Sequence, residues 1–221
     1  VTHLNHIQES STRRIYPEWM VILAIGLASS AFCLIFGGHA VEALYTMLAA
    51  MAGALVRYLC SRVEFNVYVT IAASAFAATV TAYFTMYLPG AISPFLPIVA
   101  CALTLIPGVP LINAVDDFLN NYLTSGMTRI THTLLIMLAM TFGIAGAVGI
   151  TDVPSFTDVN IAPESLYLTQ ALAAAMAALG FSIMFNVPRR YIPAACLGAI
   201  ITVDVRDVSM VLFHTGMASA S

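Results

Sequence analysis

Residues 105–118 read Leu105-Ile-Pro-Gly-Val-Pro-Leu-Ile-Asn-Ala-Val-Asp-Asp-Phe118, and their reading decides the fold. They close an apolar run that starts at Ile92. At ~1.5 Å per residue Pro107 lies about 22 Å along that run, inside a hydrocarbon layer ~30 Å thick. Pro107 and Pro110 each lack an N–H, and each ring clashes with the carbonyl four residues back. Gly108 between them tolerates an unwound backbone. The stretch predicts a discontinuous helix with free carbonyls and N–H groups at membrane depth. Such groups persist only where protein or a water-filled cavity satisfies them. Transporters often build their binding sites at breaks of this kind.

The surrounding composition puts this segment in a bilayer. The chain has 221 residues, 60% hydrophobic and 9% charged, with a mean hydropathy of +0.92. A soluble domain carries about 45–50% apolar and about 25% charged residues. A water-soluble enzyme, a disulfide-rich secreted domain, a disordered tail and a nucleic-acid binder are excluded. The chain reads as an all-α polytopic membrane protein.

Six runs are long enough, or nearly so, to span: residues 20–36, 40–59, 65–88, 92–113, 130–150 and 165–185. Residues 191–203 form a seventh only if the helix continues past Asp204. The first span ends Phe32-Cys-Leu-Ile-Phe36 and the sixth Phe181-Ser-Ile-Met-Phe185. Five spans separate the two, so the echo implies inverted topology. The expected organisation is a cytoplasmic segment at 1–19, a five-helix first repeat at 20–150, an extracytoplasmic linker at 151–164, and the beginning of an inverted second repeat at 165–221. The discontinuous helix is the fourth.

All eight basic residues are arginines. With the N-terminus inside, Arg13, Arg14, Arg57, Arg62, Arg129, Arg189 and Arg190 all face the cytoplasm, and only Arg206 stands apart. The opposite loops at 37–39, 87–91 and 151–164 contain no arginine, and the last carries Asp152, Asp158 and Glu164. The positive-inside rule therefore places the N-terminus in the cytoplasm. Cys33, Cys60, Cys101 and Cys196 have no partner at disulfide or metal spacing and read as small buried hydrophobes. No cofactor is expected. Gly26 and Ser30, Ala49 and Gly53, and Ala139, Gly143 and Ala147 recur every fourth position, which lets helix backbones approach closely.

Beyond the break, Asn113 and Asp117 share a helix face, while Asp116 points about 100° away. Each acid is either a carboxylate in a cavity or proton path or one sitting in cytoplasmic water at the helix end. Gly126 and Arg129 follow, and Arg129 alone could be an inside anchor. Two secondary candidates are Glu42, near the outer mouth where its carboxylate can snorkel to water, and His132, a proton carrier or an interfacial polar group. Thr79, Thr81 and Thr85 could line a polar path, but threonines in such helices more often bond their own backbone.

The segment Pro107-Gly108, Asn113, Asp117, Gly126, Arg129 resembles the signature of the bacterial threonine/serine exporter family. Tyr16-Pro-Glu-Trp and Phe36-Gly-Gly resemble the start of that family's membrane region, and Gly180 to Arg190 the start of its second half. The resemblance implies an inner-membrane exporter of small hydroxy amino acids, driven by the proton gradient, with ten spans as five plus five. Split relatives of the family look like succinate exporters. The sequence stops before a second Pro-Gly motif, so it is expected to be part of a larger transporter. Asn121 stands where glycine is common, and Asp116 adds a second acid.

The first reading is a secondary exporter whose cargo meets backbone N–H groups at the break while Asp117 carries a proton. Alternatives are a C4-dicarboxylate exporter component, a non-transporting partner subunit, and a passive channel. An intramembrane enzyme is remote, since no nucleophile with a placed base and no H-E-x-x-H is present. Expected partners are the bilayer, a small-molecule substrate, and a second copy or a subunit that completes the second half.

Overall fold

The computed structural model describes residues 15–85, 87–89, 95–151 and 167–218, with backbone alone at 167, 207 and 210–218. Among them the chain forms eight α-helices: α1 (Glu18–Ile35), α2 (Ala40–Arg62), α3 (Val67–Thr85), α4 (Phe95–Leu105), α5 (Gly108–Leu119), α6 (Leu123–Thr151), α7 (Tyr167–Met184) and α8 (Ile192–Ala218). A 3₁₀ turn, Arg189–Tyr191, precedes α8. Helices α1, α2, α3 and α6 are each long and apolar enough to cross a membrane, and α4 with α5 passes the same test as a pair bent by 45°. Residues 168–184 of α7 are a shorter apolar helix. Arg13, Arg14, Ile92 and the acids of the 151–164 segment beyond Thr151 lie outside the described residues.

Packing is inverted relative to a soluble protein. The wholly buried side chains are small, the largest being Thr46, Thr133, Pro97 and Cys33, while Trp19, Leu44, Leu59, Phe84, Leu138 and Phe142 are exposed. Lipid tails are as apolar as leucine, so helices associate through close backbone contact. The small residues supply it. A Cβ at Gly53 would stand 2.9 Å from the Ser74 carbonyl oxygen, one at Gly26 2.7 Å from Met51, and one at Gly143 would collide with the Ala72 carbonyl. Buried and half-buried hydroxyls are bonded within the bundle. Thr46 donates to Glu42 O, Thr81 to Ala77 O and Thr85 to Ala82 O, the backbone habit expected of membrane threonines.

The helices stand side by side as α8–α7–α1–α2–α3–α6–α5, with α4 seated against α1, α2 and α3. Helices α3 and α6 run parallel: Tyr68 meets His132, and Ala72 meets Gly143. Helix α7 runs antiparallel to α1, with the Ile15 N–H donating to Asn186 Oδ1 at 2.8 Å and the Tyr16 hydroxyl to Val187 O at 3.0 Å. The aromatic pairs of the sequence echo meet here, Phe32 edge-on to Phe181 at 5.6 Å. Arg57, Arg62, Arg129, Arg189 and Arg190 gather at one end of the bundle. Arg206 is held near the other by Gln170.

Boundaries differ from the sequence reading in three places. Helix α6 begins at Leu123 rather than 130, because the polar turn before it is itself helical. The tail is one continuous 27-residue helix, not a 13-residue stub, because Asp204 and Arg206 do not interrupt the backbone ladder. Pro110 is not part of the break. It sits in the first turn of α5, where a missing N–H costs nothing.

Candidate functional site

The break is a single turn centred on Pro107. Its φ of −72° and ψ of 66° are those of an inverse γ-turn, closed by the Gly108 N–H donating to Ile106 O at 2.8 Å. The ring imposes the φ, and the chain resumes a helix when the Leu111 N–H reaches Pro107 O at 3.3 Å. Ile106 packs with Leu105 against Ile71, Ile136 and Met140. The bend thus carries the chain from the α1–α3 group, where α4 lies, to α6, where α5 lies.

This geometry corrects the expected chemistry. Gly108 spends its N–H in the turn, Pro110 has none, and Leu111 donates to Pro107. On the other side Pro107 withdraws a donor from the Leu103 carbonyl, and the turn diverts the Gly108 N–H from the Thr104 carbonyl. The break is richer in acceptors than in donors. It is not the anion-binding row of N–H groups that the prolines and glycine suggested.

One helix further on, the charged residues come together. Helix α5 ends in a Schellman turn: Tyr122 N–H donates to Asp117 O at 2.8 Å and Asn121 N–H to Phe118 O at 3.1 Å, with Asn121 at φ 62°. That left-handed position favours glycine and next asparagine, which accounts for an asparagine at 121. Gly126 is buried against the Phe118 ring, 2.6 Å from where a Cβ would stand, so its part is packing. The reversal brings Arg129 Nε to 3.0 Å from Asp117 Oδ2, and Ser125 Oγ donates to the same oxygen at 2.6 Å. Asp117 is 17% exposed and Arg129 48%.

The other candidates lie elsewhere. Asp116 is exposed and bonded by Asn120 Nδ2 at 3.2 Å, and Asn113 is exposed on α5. Pro107, Gly108 and Pro110 stand at the far end of α5, about 15 Å from Asp117 by helix rise. His132 is exposed, with Nδ1 3.0 Å from the Tyr68 hydroxyl. Glu42 does not snorkel. It is buried at 3% exposure and accepts the His39 N–H at 3.1 Å, the acid half of a capping box.

A feature absent from the sequence reading lies on the α4 side of the break. Ser74, Thr104, Leu105, Gly53 and Arg57 are among the residues lining a narrow, mostly apolar recess of about 10 Å³, room for about one water molecule. Thr104 accepts from Ser29 Oγ at 3.2 Å, and Ser74 Oγ donates to Gly53 O at 2.8 Å. Asp117 does not line it. The small residues that make the room were visible only as helix contacts.

The fold and this arrangement define a multi-pass membrane protein with a discontinuous span and an ion pair across the turn that follows it. Residues 1–151 match the family described as "Putative threonine/serine exporter", and the chain belongs to that family. It is 32% identical over 136 residues to "Probable succinate transporter subunit YjjP" of Escherichia coli, covering 61% of this chain and 53% of that protein. The Klebsiella aerogenes protein of the same name is 30% identical over 133 residues, covering 60% and 52%. The chain thus spans about half the length of the curated relatives it matches. No solved structure matches it.

Proposed function

We infer that the chain belongs to a secondary active exporter of small polar metabolites, most simply threonine and serine, coupled to protons and seated in the bacterial inner membrane. The arginine-bearing end faces the cytoplasm, with the N-terminus on that side. The observation that carries the reading is the Asp117–Arg129 pair one turn-and-helix beyond a proline break. A carboxylate held by a cation across a turn is a two-state element. Ionised, it ties α5 to α6. Protonated, it releases Arg129 and frees the helix to move. The family description supports amino-acid export.

A second reading, a component of a C4-dicarboxylate exporter, is favoured by the names of the curated relatives. It brings with it a second subunit that completes the bundle. Both readings make the protein a carrier and not an enzyme. Metabolite efflux from its own host cells with and without the gene tests them together. Loss of threonine and serine efflux on deletion supports the first reading, loss of succinate efflux the second, and unchanged efflux of all three rejects both.

A further inference from the structure

We propose that one side of the α5–α6 hairpin is the contact surface for a second copy of this chain, met about a two-fold axis along the membrane normal. This stands independently of the cargo.

The two helices outreach their neighbours. Gly143 of α6 lies level with Ala72 and Ala75 of α3. From Gly143 back to Leu123 is about 30 Å of helix, whereas from Ala72 and Ala75 back to the start of α3 at Val67 is about 10 Å. Helix α2 stops where α3 starts. Gly53 abuts Ser74 and Ala78, and about 14 Å of each helix lies beyond that contact. Leu123 therefore stands about 20 Å past the α2–α3 turn, and α5 accompanies α6 there with Phe118 over Gly126. The turn exposes Arg62, Glu64 and Asn66, which marks the water boundary. Helices α2 and α3, with 23 and 19 residues, match a hydrocarbon layer about 30 Å thick. The end of the hairpin stands in water.

Asp117 and Arg129 mark one side of it, the side on which Ile136 and Met140 of α6 meet α3. At about 100° per residue, Val115 and Leu119 on α5 and Leu123, Met127, Leu134 and Leu138 on α6 fall on the other. Each of the six is 49–78% exposed. The stripe crosses the water boundary near Leu134 without a charge or an aromatic ring, the anchors that a lipid-facing helix carries at headgroup level. Lipid can cover Leu138 but not Leu119, Leu123 or Met127. The partner therefore crosses the boundary itself and projects as far. A second copy lies in the same membrane, in the same orientation, with the same projection at the same height. Its stripe is uncharged, so like meets like without repulsion. A face one helix wide over about 40 Å and two wide over about 18 Å offers roughly 600 Å². Two such faces bury about 1,200 Å², as a stable interface requires.

Disulfide trapping in isolated host membranes that carry the full-length protein tests this. Under copper phenanthroline, Met127→Cys and Leu123→Cys should each give a product of twice the chain's mass at wild-type membrane abundance. Thr128→Cys, about 100° round the helix, and the unsubstituted chain should give none. No double-mass product from either probe, an equal yield from Thr128→Cys or the unsubstituted chain, or a product containing a different protein overturns the proposal.

Discussion

Arg129 Nε stands 3.0 Å from Asp117 Oδ2, across the turn that folds α5 back onto α6. Half-open pairs of this kind contribute only about 0.2–1 kcal/mol to stability. The crossing is held instead by the Schellman turn and by the Phe118 ring seated over Gly126. The pair can therefore open and close without unfolding the helices around it.

Asp117→Asn keeps the shape of the side chain and removes its charge. Insertion and thermal stability should stay within about 1 kcal/mol of the wild type, while proton-driven efflux falls to background. Vesicle efflux under an imposed pH gradient checks this. Gradient-dependent efflux retained by the variant removes Asp117 from the coupling role.

Asn121 at φ 62° makes a second expectation. Asn121→Gly should preserve or raise the melting temperature of the purified protein. Asn121→Ala should destabilise it by about 1–2 kcal/mol, because an L side chain pays for the left-handed conformation. Equal melting temperatures for both variants would mean that the turn is not what fixes the α5–α6 crossing.

Much of this was legible in sequence, and the illegible part has a common cause. Pro107 and Gly108 announced the break because proline acts on its own backbone, and the small-residue stripes announced the contacts of Gly53 and Gly143. Asp117 and Arg129 were each singled out but not joined. Their meeting depends on the handedness of one turn at Asn121, which spacing alone does not encode. The recess is not encoded by spacing, because Arg57, Ser74 and Thr104 come from three helices. The γ-turn also reverses the expected polarity of the break, since Pro107 brings no donor of its own and the turn it makes uses the Gly108 N–H.

The glycines of α6 should behave oppositely. A Cβ at Gly143 collides with the Ala72 carbonyl, whereas at Gly149 it meets nothing within 4 Å. Gly143→Ala should cost about 1–3 kcal/mol by overpacking. Gly149→Ala should gain up to about 1 kcal/mol of helix propensity. Thermal unfolding in detergent distinguishes the two, and a shared sign would contradict the α3–α6 contact.

Orientation is open to direct labelling. In a Cys60→Ser background, a cysteine at Ser61 should resist a membrane-impermeant maleimide in intact cells and react once the cells are opened. Labelling of intact cells would place the arginine-bearing end outside.

In the proposed exporter, the interruption at Pro107 is what lets this span take part in transport. Alanine at that position restores a donor for the Leu103 carbonyl and removes a ring clash, together favouring a continuous helix by about 3 kcal/mol. The most direct measurement is gradient-driven efflux from cells carrying Pro107→Ala at wild-type membrane abundance. A loss of about tenfold or more is expected. Wild-type efflux from a protein whose fourth span had become continuous would contradict it.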